Sequence, residues 1–182
     1  MRLVFSCLVA SQLAIVPSDG SAQSRLPKCP GPYNPATWTN CFGEVTRPSG
    51  LKFAAEFKDG KPHGRGIVTF PSGDVYVGEL KDGTPDGKGT MRRKGKLEYV
   101  GDWKDGERHG QGTLIVADGT KYVGGYRLNK KHGRGTWTWP DGRKYIGEFR
   151  DDAFHGQGTE YRADGSVLRS GSWRNGEFSG GR

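Results

Sequence analysis

Four histidines, two pairable cysteines and a family of Gly-x-Gly segments are the residues here whose types and spacing could do chemistry. His63, His109, His132 and His155 are separated by 46, 23 and 23 residues, a spacing that invites a metal ladder. One zinc needs nitrogens each about 2.1 Å away, whereas copies of one slot in neighbouring repeats of a sheet stand roughly 10 Å apart. None of the four has a unique partner that would make it a general base, so all four read as structural. Gly110-Gln111-Gly112 and Gly133-Arg134-Gly135 have the look of phosphate loops, but such loops need a strand-to-helix junction. These lead into β-type runs instead. Cys7 lies in an apolar leader, and Cys29 and Cys41 remain as an even pair in a Pro/Gly-rich segment. A metal pair would need further ligands and a redox dithiol a C-x-x-C spacing, so a disulfide is expected. No catalytic residue, metal or cofactor is expected.

The elements that would hold these residues are set by a tyrosine that returns every 23 residues, at Tyr76, Tyr99, Tyr122 and Tyr145. Each opens one phrase, as in Tyr76-Val77-Gly78-Glu79-Leu80 and Tyr99-Val100-Gly101-Asp102-Trp103. Phe53 to Phe57 is a degraded copy and Arg169 to Trp173 a late one. A fixed period of this length marks a repeat array, in which the meaning of a residue belongs to its slot. Alternation within the phrase puts aromatics and glycine on one strand face and aliphatic, acidic and basic residues on the other. Asp59-Gly60, Asp82-Gly83, Asp105-Gly106 and Asn175-Gly176 supply hairpin turns. The predicted fold is all-β: a single-layer antiparallel meander, solenoid-like, of tandem ~23-residue β-hairpin repeats. Glycine on the aromatic face leaves bare backbone for neighbouring rings to cover.

Composition agrees. The chain has 182 residues, 31 of them glycine, and is only 32% hydrophobic, which excludes a thick core. Met1-Arg2, the apolar stretch Leu3 to Val16 and Gly20-Ser21-Ala22 read as an export signal cleaved before Gln23, with an uncleaved anchor as the alternative. The expected organisation is a signal peptide over residues 1–22, a Pro-rich lead over 23–37, and an array over 38–180. That array opens with a half repeat (38–52), continues with repeats starting near 53, 76, 99, 122 and 145, and closes with a partial one near 169. The expected location is periplasmic or secreted, and the mature chain has no segment that reads as a membrane span.

A net charge of +8 permits anionic partners. Lys58, Lys81, Lys104, Arg127, Arg150 and Arg174 fill one slot in all six copies. Glu56, Glu79, Asp102 and Glu148 lie two residues earlier on the same face, so cross-strand pairing should neutralise much of this stripe. Arg127, Lys130, Lys131, Arg143 and Lys144 are the favoured contacts for an anion or lipid headgroup. Tyr76, Tyr99, Trp103, Tyr122, Tyr126, Trp137, Trp139 and Tyr145 either pack on one another or offer rings to a peptide or sugar; packing is the preferred reading. An export signal argues against nucleic acid, which aromatic–basic interleaving would otherwise suit.

These residues resemble MORN repeats, whose phrase is Tyr-x-Gly-Glu-aromatic, a base, Asp-Gly and His-Gly-x-Gly-Thr. Tyr99 through Gly119 matches nearly throughout. Departures fall at Asp86, Gly125, Leu128-Asn129, Asp151-Asp152 and Arg169, and they should loosen individual turns. The resemblance implies an elongated binding or self-association module without enzymatic activity. The expected function is a binding and assembly module of the cell envelope that engages a protein partner or a second copy through its sheet face or edge, with anionic phospholipid headgroups bound through basic residues as the alternative. Trp173 to Phe178, at the end of the array, is where an open sheet edge is expected.

Overall fold

The computed structural model describes residues 24–181, so the export signal read over residues 1–22 lies outside them. Thirteen strands follow one another: β1 (Cys41–Thr46), β2 (Lys52–Lys58), β3 (Lys61–Thr69), β4 (Val75–Lys81), β5 (Thr84–Arg93), β6 (Leu97–Lys104), β7 (Glu107–Val116), β8 (Lys121–Arg127), β9 (Lys130–Thr138), β10 (Lys144–Arg150), β11 (Ala153–Tyr161), β12 (Val167–Arg174) and β13 (Glu177–Gly180). They form one sheet whose spatial order is the chain order, every neighbour antiparallel. Among the described residues there is no helix, and therefore none long and apolar enough to cross a membrane. The all-β single-layer meander expected from the repeat is what the chain forms.

Tight turns fold each tyrosine strand back on itself. Asp59-Gly60, Asp82-Gly83 and Asp105-Gly106 place both central residues at positive φ, as hairpin turns that follow strand twist require. The irregular copies keep that geometry rather than loosening: Leu128 and Asn129 sit at φ 51° and 66°, Asp151 and Asp152 at 50° and 74°. The compensation lies in the second residue. Asn129 Oδ1 accepts the Arg108 N–H at 2.9 Å and Asp152 Oδ1 accepts the Lys131 N–H at 3.0 Å, so each tip is tied to the tip of the preceding hairpin.

Register stacks like with like. Gly66, Gly78, Gly89, Gly101, Gly112, Gly124, Gly135, Gly147, Gly158 and Gly171 stand directly opposite one another across ten strands. On the same face runs a second row in which Val68, Met91, Leu114, Trp137 and Glu160 alternate with the phrase-opening tyrosines and with Arg169. The opposite face carries Ala54, Ile67, Val77, Thr90, Val100, Thr113, Val123, Thr136, Ile146, Thr159 and Ser170, again in direct register.

The two ends are finished differently. At the start, Cys29 and Cys41 form the expected disulfide. The lead lies along β1, with the Cys29 N–H donating to Phe42 O and the Phe42 N–H to Pro27 O, both at 2.8 Å. That covers a strand edge that would otherwise present unpaired amides. Trp38 is buried against Phe57, its ring over Gly43, and Tyr33 packs edge-on against it. At the other end the four-residue β13 covers β12 and is itself the last strand.

The final copy departs in two residues that answer each other. Glu160 takes an otherwise hydrophobic position and is buried, while Arg169 stands opposite in the tyrosine position. Their side chains pair at 2.7 Å, and the guanidinium lies over the Trp173 ring at 4.6 Å. Glu160 is buried but Arg169 stays largely exposed, and Arg143 Nη1 lies 3.8 Å from the other Glu160 oxygen, so truncating Arg169 removes the closer of two cations beside a buried carboxylate. Arg169→Ala should therefore cost about 1–3 kcal/mol. The double variant Glu160→Leu/Arg169→Tyr, which restores the hydrophobic pattern, should recover most of that loss in urea unfolding. Equal losses in the single and double variants would refute this account.

Candidate functional site

The aromatic face is a closed chain of edge-to-face contacts. Tyr99 meets Trp103 of its own repeat at 5.1 Å and Tyr126 of the next at 5.1 Å; Tyr122 meets Tyr126 at 5.3 Å and Phe149 at 4.9 Å. Tyr145 continues it to Phe149 and Trp173, at 5.4 and 5.1 Å. Each ring spans its own repeat and the next, so the rows couple neighbours as a one-dimensional array requires. Tyr76, Tyr99, Trp103, Tyr122, Tyr126 and Tyr145 are all buried, and offer no ring to an external ligand. Trp137 and Trp139 are half-buried, and Trp139 stacks edge-on with Phe154.

Burial governs the phenols. The Tyr126 and Tyr145 hydroxyls are pushed up to about 12, and those of Tyr76, Tyr99 and Tyr122 are raised further, desolvation being the largest cause for each. Four of them have a fixed partner three residues ahead: Tyr76, Tyr99, Tyr122 and Tyr145 donate to the carbonyls of Glu79, Asp102, Gly125 and Glu148 at 2.8 to 3.0 Å. Those acceptors sit where the register with the following strand shifts, the surplus residues lying on that following strand.

The bulge also sets the role of the acids, which sequence alone assigned to pairing with the basic stripe. Glu56, Glu79, Asp102 and Glu148 turn instead onto main-chain N–H groups of the following strand, those of Arg65, Lys88, Gln111 and Gln157. The physical reason is the extra residue, which leaves an amide without a ladder carbonyl for the side chain to satisfy. Asp102 also pairs with Lys88. Burial would raise its carboxyl, but the Lys88 ammonium and the Gln111 N–H together hold it below the usual carboxylate range.

The basic stripe is accordingly left without counter-charges. Lys58, Lys81, Lys104, Arg127, Arg150 and Arg174 are all exposed, and among the described residues none forms an ion pair within 4.0 Å. The five cations singled out in the sequence do not make one patch. Arg127 and Lys130 are exposed at one hairpin tip with Leu128, 60% exposed, between them. Lys131 lies on the aromatic face, paired with Asp152 at 2.7 Å and over the Trp137 ring at 5.1 Å. Arg143 lies in the turn after β9 and pairs with Asp141 at 2.7 Å, while Lys144 opens β10 and lies over the Tyr161 ring.

The histidines are divided one per repeat. His63 Nδ1 stands 3.8 Å from Asp82 and His132 Nδ1 4.0 Å from Asp151, each facing the next hairpin tip. Among the described residues no group of three or more potential ligands is placed to hold a metal. The arrangement is therefore that of a repeat scaffold. Its aromatic face is consumed by packing, and its other face is open: Val100, Val123 and Ile146 are each 44% exposed and Ile115 45%.

A single open sheet of tandem hairpins with such a face defines a class of repeat scaffold. The MORN repeat model matches residues 53–75, 76–95, 99–121, 122–142 and 145–167, more than half of the chain, and the protein belongs to the MORN repeat family. MORN repeats are generally non-catalytic binding modules. No curated protein matches the chain significantly. Among solved structures, the Drosophila melanogaster SAS-4 TCP domain in complex with a proline-rich motif of Ana2 is 14% identical. The match covers 68% of this chain and 74% of that one, with a TM-score of 0.40. The wild-type TCP10 domain of Danio rerio CPAP, in complex with a STIL peptide, is also 14% identical. There the match covers 71% of this chain and 98% of that one, with a TM-score of 0.20.

Proposed function

We propose that this chain is a non-enzymatic binding and assembly module of the cell envelope, engaging a protein partner or a second copy of itself through its open sheet face. The observation that carries this reading is the row Val77, Thr90, Val100, Thr113, Val123, Thr136 and Ile146. It runs in register across seven strands with its aliphatic members half exposed and no second layer over them. A sheet normally buries one face on another element; here rings serve that purpose on one side, and the other is available. The envelope part of this reading is supported by Met1-Arg2, the apolar Leu3 to Val16 and the small residues Gly20-Ser21-Ala22, the pattern of an export signal that would deliver the chain to the periplasm or outside the cell.

A photo-crosslinking residue placed at Val123 in cells should give a discrete adduct, and one placed at Asp118, on a hairpin tip of the same array, should not. An adduct of twice the chain mass, together with a dimer in light scattering, identifies self-association; any other discrete mass identifies a partner. Absence of adducts at Val100, Val123 and Ile146 alike defeats the reading. A second reading, attachment to anionic lipid, is favoured by the unpaired stripe and by the Arg127-Leu128-Asn129-Lys130 tip. Liposome co-sedimentation tests it: negligible binding to anionic and neutral vesicles alike at low salt ends it.

A further inference from the structure

The five full repeats differ at one position that the fold itself identifies. In four of them the acid at the bulge covers a glycine on the following strand: Glu56 over Gly64, Glu79 over Gly87, Asp102 over Gly110 and Glu148 over Gly156. A Cβ built on any of these glycines would run into the carboxylate. The same carboxylates accept the main-chain N–H of the next residue, at 3.0 Å for Arg65, 2.8 Å for Gln111 and 3.0 Å for Gln157. In the repeat that opens at Tyr122 the acid is replaced by Gly125, and nothing lies within 4 Å of the corresponding Cβ position over Gly133.

One neighbour differs from the other copies, the His132 carbonyl oxygen, which lies where a Gly125 Cβ would stand; the donors around the slot are retained. Gly133 has φ 74°, within the range of its four counterparts, so the next amide is presented in the same local conformation. The Arg134 side chain is exposed and, among the described residues, forms no ion pair within 4.0 Å, although Glu148 stands opposite it in register. Glu148 is engaged by the Gln157 N–H. On the other flank Gln111 stands opposite Gly125, its Nε2 3.8 Å from the position a Gly125 Cβ would occupy. Gln111 and Arg134 also border a shallow groove of about 570 Å³ whose floor includes Val123 and Ile146.

We propose that the slot over Gly133, bordered by the Arg134 N–H and guanidinium and by the Gln111 side-chain amide, binds a carboxylate supplied from outside the chain. The chain's own four carboxylates show what the other copies of this slot hold. Charge-assisted hydrogen bonds from N–H and guanidinium donors are the strong kind, and an arginine fork suits a carboxylate's two oxygens. The source is either an aspartate or glutamate side chain of a bound protein or a free organic acid. The assignment goes beyond the sheet-face reading and does not depend on it.

Acetate titration of the ¹⁵N-labelled protein, followed by amide shifts, tests the proposal, with chloride at matched ionic strength as control. The Arg134 amide should move saturably and several-fold more than those of Arg65, Lys88 and Gln157, which hold internal carboxylates away from the slot. Arg134→Gln, which keeps the amide and removes the fork, should weaken the response several-fold. Gly125→Glu should abolish it, once the His132 carbonyl that a Cβ there would meet has moved to the arrangement of the other repeats. A blocked peptide carrying one glutamate beside valine provides the second arm. Binding tighter than acetate assigns the slot to a protein side chain, and equal binding assigns it to a free acid. An Arg134 shift no larger than those three, or one reproduced by chloride, overturns the proposal.

Discussion

Gly112→Ala should be among the most damaging single substitutions in this protein, although it adds only a methyl group at a strand position where alanine is ordinarily tolerated. Its backbone lies outside the left-handed region, so the cost is not conformational. A Cβ built there would meet the Tyr99 hydroxyl and ring carbons inside contact distance. Tyr99 is 1% exposed, donates to Asp102 O at 3.0 Å, and touches Trp103 and Tyr126. The methyl must therefore lift the ring from its seat, which strands a buried carbonyl and opens two edge-to-face contacts. Overpacking costs about 1–3 kcal/mol and an unsatisfied buried acceptor about another 1–3, so a total of about 2–6 kcal/mol is expected. Gly133→Ala is the matched comparison, because its space is open and only its positive φ opposes the change, at about 1–2 kcal/mol. Urea unfolding should rank Gly112→Ala well below Gly133→Ala. The reverse order would show that rings seated on glycine are not what holds the strands in register.

This seat was legible in the sequence, because tyrosine and glycine share a strand parity and recur together. Any pleated strand would put them on one face. The turns were legible for the same local reason, and so was the disulfide, which needed only an even pair of cysteines in a Pro/Gly-rich segment. What could not be read was the bulge. A shift between Gly78 and Leu80, or between Gly101 and Asp102, exists only once two strands are laid side by side. It turns the acid from the basic stripe toward an unpaired amide. Charge spacing along one strand therefore suggested neutralisation, and register produced a capped N–H and an unpaired stripe instead. Gly125 was visible as a departure, but its consequence was not, because an empty slot is defined by what fills its four equivalents. Likewise the five cations between Arg127 and Lys144 are near in sequence but lie on two faces and at two ends of a strand. Arg169 looked like a lost ring until Glu160 stood opposite it.

Alkaline pH should unfold the array cooperatively, and the reason lies in the five buried phenols. Tyr76, Tyr99, Tyr122, Tyr126 and Tyr145 are at most 4% exposed, and burial raises every one of their hydroxyls, to about 12 for Tyr126 and Tyr145 and beyond that for the rest. An unfolded chain ionises its tyrosines near pH 10. Because the folded pKa is the higher, the folded state holds its protons longer. The contribution of each phenol to stability is intact below pH 10 and is lost as pH rises through the folded value. Each contributes a slope of up to about 1.4 kcal/mol per pH unit in that window. For five acting together, about 6–7 kcal/mol is lost by pH 11, a large share of the 5–15 kcal/mol that holds a typical domain. Tyrosinate absorbance and loss of the β circular-dichroism signal should therefore rise together in one steep transition between pH 10 and 12. Gradual ionisation beginning at pH 10 with the sheet signal intact would contradict the burial of these rings. Tyr145→Phe adds a sharper check. The hydroxyl it removes donates to Glu148 O at 3.0 Å, so the variant starts less stable at neutral pH. It also has one phenol fewer to ionise, so its stability should fall less steeply above pH 10, and the two curves should converge.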